Sequence, residues 1–186
     1  RDDTALAEIR AFACAASVKA GLVGTRIALL PRPCEVVMGS RLNGIDLAAR
    51  FGVEVIQVSV NRLVRYVDGI DPRAAADYVA SLTGQYPMAD ARVSVPPSHD
   101  ELVRSARQAL AMVRLAEEEH LAGIALEDFD PELCRALGFR PHLTHPRLSE
   151  LGCTVGFEAD VPGVLASILV GRLSGHMPMF NELFSI

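Results

Sequence analysis

The sequence predicts an α/β fold: an open, mostly parallel sheet with helices on both faces, a Rossmann-like three-layer sandwich. Three observations predict it. Short, largely apolar runs at residues 26–30, 53–58, 121–126 and 153–157 read as buried strands. Segments with helical spacing alternate with them at crossover-sized intervals. The junctions carry breakers and caps where such a succession needs them.

In order, residues 4–20 place Leu6, Ile9, Phe12, Ala13, Ala16 and Val18 at helical spacing. The strand at 26–30 is stopped by Pro31 and Pro33. A helix over 43–50 ends at Phe51-Gly52, the strand at 53–58 follows, and 63–67 continues as helix. Asp71-Pro72 supplies an N-cap and a first-turn proline for a helix to about residue 82. Ser98-His99-Asp100-Glu101 is a capping box that opens the longest helix, 100–118. After the strand at 121–126, Asp130-Pro131 caps a short helix and 146–151 forms another. Strand 153–157, helix 161–173 and a last strand at 178–184 complete the reading, with 87–97 as a long surface loop.

The chain has 186 residues, 50% of them hydrophobic and 22% charged, enough for one large domain with its own core. Net charge is −5 and Lys19 is the only lysine, which argues against a nucleic-acid or anionic-membrane partner. The longest apolar stretch, 161–170, is too short to span a bilayer. Cys14, Cys34, Cys134 and Cys153 form no C-x-x-C pair and read as reduced thiols beside apolar runs, as in a cytoplasmic protein. The chain opens on Arg-Asp-Asp and stops on Phe-Ser-Ile, so it reads as a piece of a longer protein.

A parallel sheet invites a nucleotide reading, but the first strand-to-helix turn is Pro31-Arg32-Pro33-Cys34, with no G-x-G-x-x-G. No P-loop and no G-x-S-x-G elbow occurs elsewhere. The informative stretch is Gly156-Phe157-Glu158-Ala159-Asp160, then an apolar helix, then Phe180-Asn181-Glu182. Glu158 follows a strand, at the edge where open α/β sheets bind ligands, and Asp160 is placed to cap the next helix. Glu182 lies one strand-helix-strand crossover later, so both carboxylates can reach one edge. Two hard oxygen donors there suit Mn²⁺ or Mg²⁺. Spacing alone leaves open the reading in which each is a solvated loop or helix-start charge.

The segment LSELGCTVGFEADVPGVLASILVGRLSGHMPMFNELFSI (148–186) resembles the signature of the L-arabinose/L-fucose isomerase family, metal-dependent aldose–ketose isomerases. ALLPRPCEVVMGSRLNGIDLAARFGVEV (28–55), VNRLVRYVDGI (60–70) and GIALEDFDPEL (123–133) are similar to other parts of that family. The resemblance implies that 1–176 is the family's second, α/β domain and that 177–186 begins a truncated C-terminal domain. It further implies that Glu158 and Glu182 are both metal ligands and the acids that move the proton, with Mn²⁺ or another divalent cation as cofactor. The substrate would be a pentose or 6-deoxyhexose, and the full-length protein a homo-oligomer.

The family's third protein ligand is a histidine beyond residue 186; His99, His120, His142, His145 and His176 read as surface or capping residues. These 186 residues alone should therefore show little isomerase activity. The competing expectation is a non-catalytic sugar-binding or regulatory α/β module of the same fold.

Overall fold

Four strands pair side by side, all parallel, in the order β2-β1-β3-β4: β1 (Arg26–Leu30), β2 (Glu54–Gln57), β3 (Leu121–Leu126) and β4 (Thr154–Gly156). The computed structural model describes residues 3–86, 96–176 and 178. Around the sheet lie α1 (Asp3–Ala20), α2 (Gly44–Phe51), α3 (Val60–Asp68), α4 (Pro72–Gln85), α5 (His99–Glu119), α6 (Pro131–Leu137), α7 (Pro146–Glu150) and α8 (Val161–Ser174). The predicted α/β sandwich is thus what forms. The strand expected over 178–184, the short domain beginning at 177 and most of the loop expected over 87–97 fall outside the described residues.

The two-residue period of the strands divides the core. Ala28, Leu30, Ile124 and Leu126 face one side, where they meet Leu63 of α3, Met112 and Leu115 of α5, Leu133 of α6 and Leu148 of α7. Ile27 and Ala125 face the other and pack against Leu47 of α2 and Val161, Val164, Leu165 and Ile168 of α8. A third cluster, Ala75, Val79 and Ala106, joins α4 to α5. Gly123 lets α8 approach β3 closely: a Cβ there would lie far inside van der Waals contact with Val164 Cγ1.

The predicted caps are made. Asp71 accepts from the Arg73 amide, Ser98 and Glu101 form the reciprocal capping box, and Asp130 and Asp160 accept from the Leu133 and Gly163 amides. α3 begins three residues before the expected 63, because Ser59 caps it through the Arg62 amide. α1 differs more. No residue of it is buried, and Leu6, Ile9 and Phe12 are exposed, so its helical spacing does not mark a core face. Cys14, on the same helix, is exposed as well, whereas Cys34 and Cys153 are buried as small hydrophobes.

Strand order decides where a ligand can sit. From β1 the chain goes to β2 on one side, and the long passage through α3, α4 and α5 brings β3 to β1's other side. The topological switch therefore falls between β1 and β3, and the crevice at their carboxyl ends is the place such sheets use for ligands.

Candidate functional site

At that edge three strand ends and the turns after them are stitched together. The Glu127 amide donates to the Leu30 carbonyl at 2.6 Å, and the Ala159 amide to the Leu126 carbonyl at 3.0 Å. On the β2 side, Gln57 Nε2 donates to the Pro31 carbonyl at 3.1 Å. The Pro31-Arg32-Pro33-Cys34 turn, entered through a cis Leu30–Pro31 bond, thus sits between β2 and the residues after β3.

β4 stops at Gly156, so Glu158 lies in a turn two residues past the strand. Glu158 and Ala159 both adopt left-handed backbone conformations, with φ of 55° and 54°. Non-glycine residues in that region cost of order 1–3 kcal/mol each and persist only where the surroundings hold them. Here they are held. The Glu158 amide donates to Asp128 Oδ1 at 3.1 Å, the Ala159 methyl is fully buried, and Asp160 both donates its amide to Phe157 O and caps α8. Two consecutive strained residues at the carboxyl edge mark position 158 as one the fold supports at a cost.

The residues after β3 supply the rest. Asp128 is completely buried and receives Arg140 through Nε at 2.9 Å and Nη2 at 2.6 Å, and His142 Nε2 at 3.1 Å. The Arg140 guanidinium lies over the Phe129 ring, and the His142 ring stacks on Phe157 with centroids 5.3 Å apart. Asp130, also buried, accepts from Arg32 Nε at 2.6 Å and from the Leu133 amide at 2.8 Å. Burial opposes its ionisation, but the Leu133 amide and the Arg32 guanidinium outweigh it and hold its carboxyl below the usual range.

Among the described residues Glu127 has no such cation. Burial pushes its carboxyl up; the Cys34 thiol pulls the other way, and the charges of Asp128, Glu158 and Asp130 add to the rise. Its Oε2 is buried without a partner among the described residues.

Sequence reasoning placed Glu158 at this edge and did not place Glu127, Asp128 and Asp130 there. The signal was present, since these acids follow the buried strand β3 as Glu158 follows β4. Glu182 lies outside the described residues, so its distance from Glu158 is not defined here.

Of the histidines, His145 caps α7 through the Arg147 amide and His120 ends α5, as expected of capping residues. His142 is instead fixed against Asp128. Among the described residues no three His, Cys, Asp or Glu side chains gather to hold a metal ion, so these residues alone do not form a metal centre.

A cavity of about 820 Å³ opens at the opposite end of the sheet beside Leu121, Thr154, Arg172 and His176. It does not reach the acidic edge, and the strand topology, not cavity size, identifies the site. No helix among the described residues is long and apolar enough to cross a membrane.

The fold and this edge define a class: a parallel α/β domain whose acidic site is assembled from the turns after β1, β3 and β4. The family of the L-arabinose isomerase central domain matches residues 36–165, which include Glu127, Asp128, Asp130 and Glu158. The chain belongs to this family and is an L-arabinose isomerase-like sugar isomerase domain. None of the curated proteins compared with it matches.

Proposed function

We propose that this chain is the central part of a metal-dependent aldose–ketose isomerase acting on a pentose or 6-deoxyhexose, with Glu158 and Glu182 as metal-binding and proton-transferring acids. The observation that carries the reading is that Glu158, inside the family match, sits in a strained, tightly held turn at the carboxyl edge of the sheet.

Aldose–ketose interconversion moves a proton between C1 and C2 through a cis-enediol. A carboxylate near those carbons takes the proton from one and returns it to the other; positioned acid–base work of this kind typically contributes about 10²–10⁴-fold. A divalent cation such as Mn²⁺, when bound, would act as a Lewis acid on the developing oxyanion. Glu158 would be its ligand from the described residues, with Glu182 and a histidine beyond residue 186 completing the set. The same reading makes the full-length protein a cytoplasmic homo-oligomer, which sedimentation of the purified protein tests.

The Glu158→Gln variant of the full-length protein should lower kcat and Mn²⁺ affinity together, because the amide keeps the shape and loses the charge. Unchanged turnover would remove Glu158 from the mechanism.

The second reading is a non-catalytic sugar-binding or regulatory module of the same fold. Calorimetric titration with a polyol, with and without Mn²⁺, separates the two. Metal-dependent binding supports the isomerase, and metal-independent binding supports the module.

A further inference from the structure

We propose that Asp128 is the positioning residue of this site: its buried carboxylate sets the direction of Glu158 by holding the backbone turn that carries it. The proposal rests on the reading of Glu158 as a functional acid and goes beyond it.

Asp128 is hydrogen-bonded at both oxygens. Oδ1 accepts the Glu158 amide, while Oδ2 accepts Arg140 twice and lies 3.1 Å from His142 Nε2. One carboxylate on β3's extension therefore joins the β4–α8 turn to the segment between α6 and α7. His142 adds a second grip, since its ring lies on Phe157, the residue before Glu158.

The Asp128 contact falls on one of the two consecutive residues of this turn with left-handed φ, where the backbone would otherwise relax. Because Asp128 is fully buried while Arg140 and His142 remain about half exposed, the donors converge on the carboxylate as the fixed point. Arrangements in which a buried carboxylate orients the groups around a site are typically worth 10–100-fold in metal affinity.

An asparagine cannot replace Asp128 simply. Its single oxygen can face Glu158 or Arg140, and its NH₂ then opposes a donor on the other side. Removing Arg140 as well leaves only His142 opposite the NH₂, where the imidazole can offer an unprotonated Nε2 as acceptor, and the amide oxygen can return to the Glu158 amide.

The test reads amide hydrogen exchange on the ¹⁵N-labelled 186-residue chain and Mn²⁺ titration of the full-length protein, wild type and Glu158→Gln, against Asp128→Ala, Asp128→Asn and the double variant Asp128→Asn/Arg140→Ala. Asp128→Ala should speed exchange of the Glu158 amide about tenfold or more, with Ile27 and Ile124 of the core unchanged. Mn²⁺ affinity should fall about tenfold with it. The double variant should recover both towards wild type, and Asp128→Asn alone should recover less.

A Glu158 amide as protected in Asp128→Ala as in wild type overturns the proposal. So does a double variant as damaged as Asp128→Ala, or a loss of protection spread equally over the core. If wild type shows no Glu158-dependent Mn²⁺ binding while Asp128→Ala still frees the Glu158 amide, the metal reading falls and the positioning stands. If Mn²⁺ binding depends on Glu158 yet is equal in Asp128→Ala, the positioning falls.

Discussion

Replacing Gly123 by alanine should destabilise the protein through one contact. Gly123 is interior to β3 and is paired with Ile27 on one side and Thr154 on the other, so the strand cannot step aside. The added Cβ would overlap Val164 Cγ1, and it would also sit 3.4 Å from Ile168 Cδ1 and 3.5 Å from the Thr154 carbonyl. Val164 is fully buried, so its methyl has little free space to turn into and the overlap presses α8 away from the sheet.

Overpacking of this kind typically costs about 1–3 kcal/mol. For a chain of this size that lowers Tm by about 2–4 °C per kcal/mol, or roughly 2–12 °C in calorimetry. Val164→Ala alone removes two methyl-sized groups, about 1.6 kcal/mol at 0.8 per group before any cavity contribution. In the Gly123→Ala background the same truncation makes room, so it should cost little or restore stability, with a coupling of about 1 kcal/mol or more. Additive effects of the two substitutions, or an unchanged Tm in Gly123→Ala, would refute the close approach of α8 as the reason for glycine at 123.

Two further outcomes are expected. Asp130 is ionised more readily folded than unfolded, so its stabilisation is present above the ordinary carboxylate value of 3.8 and is lost as pH falls through the lower folded value. Asp130→Asn keeps an acceptor for the Leu133 amide but loses the charge facing Arg32. It should be less stable than wild type at neutral pH and should lose less on acidification below about pH 4, as denaturant midpoints across that range would show; parallel acid limbs would contradict it. Among the thiols, burial pushes Cys153 up to about 12, while Cys14 is exposed. A disulfide reagent at neutral pH should therefore label Cys14 first and leave Cys153 unmodified until unfolding, and early labelling of Cys153 on peptide mapping would contradict its burial.

How far the site was legible depends on the reach of each signal. Glu158 could be found because a short apolar run followed by an acid is a local pattern, and the strand-edge rule assigns it a place. Asp128 and Asp130 sit in a stretch, Glu127-Asp128-Phe129-Asp130, that reads by itself as a polar turn leading to a helix cap. Their partners lie elsewhere: Arg32 is 98 residues from Asp130, and the Glu158 amide is 30 residues from Asp128. No periodicity links such positions. The apolar spacing of α1 was legible too, but spacing reports a possible buried face and not whether anything covers it.

By itself the sequence determined the strands β1 and β3 to the residue, the N-caps of α4, α5, α6 and α8, and the α/β class, because each follows from interactions within a few residues. Only the tertiary structure decided the order β2-β1-β3-β4 and the burial of Asp128 beneath Glu158. Parallel pairing and buried ion pairs join residues far apart in the chain, and their energies exist only once the sheet has closed around them.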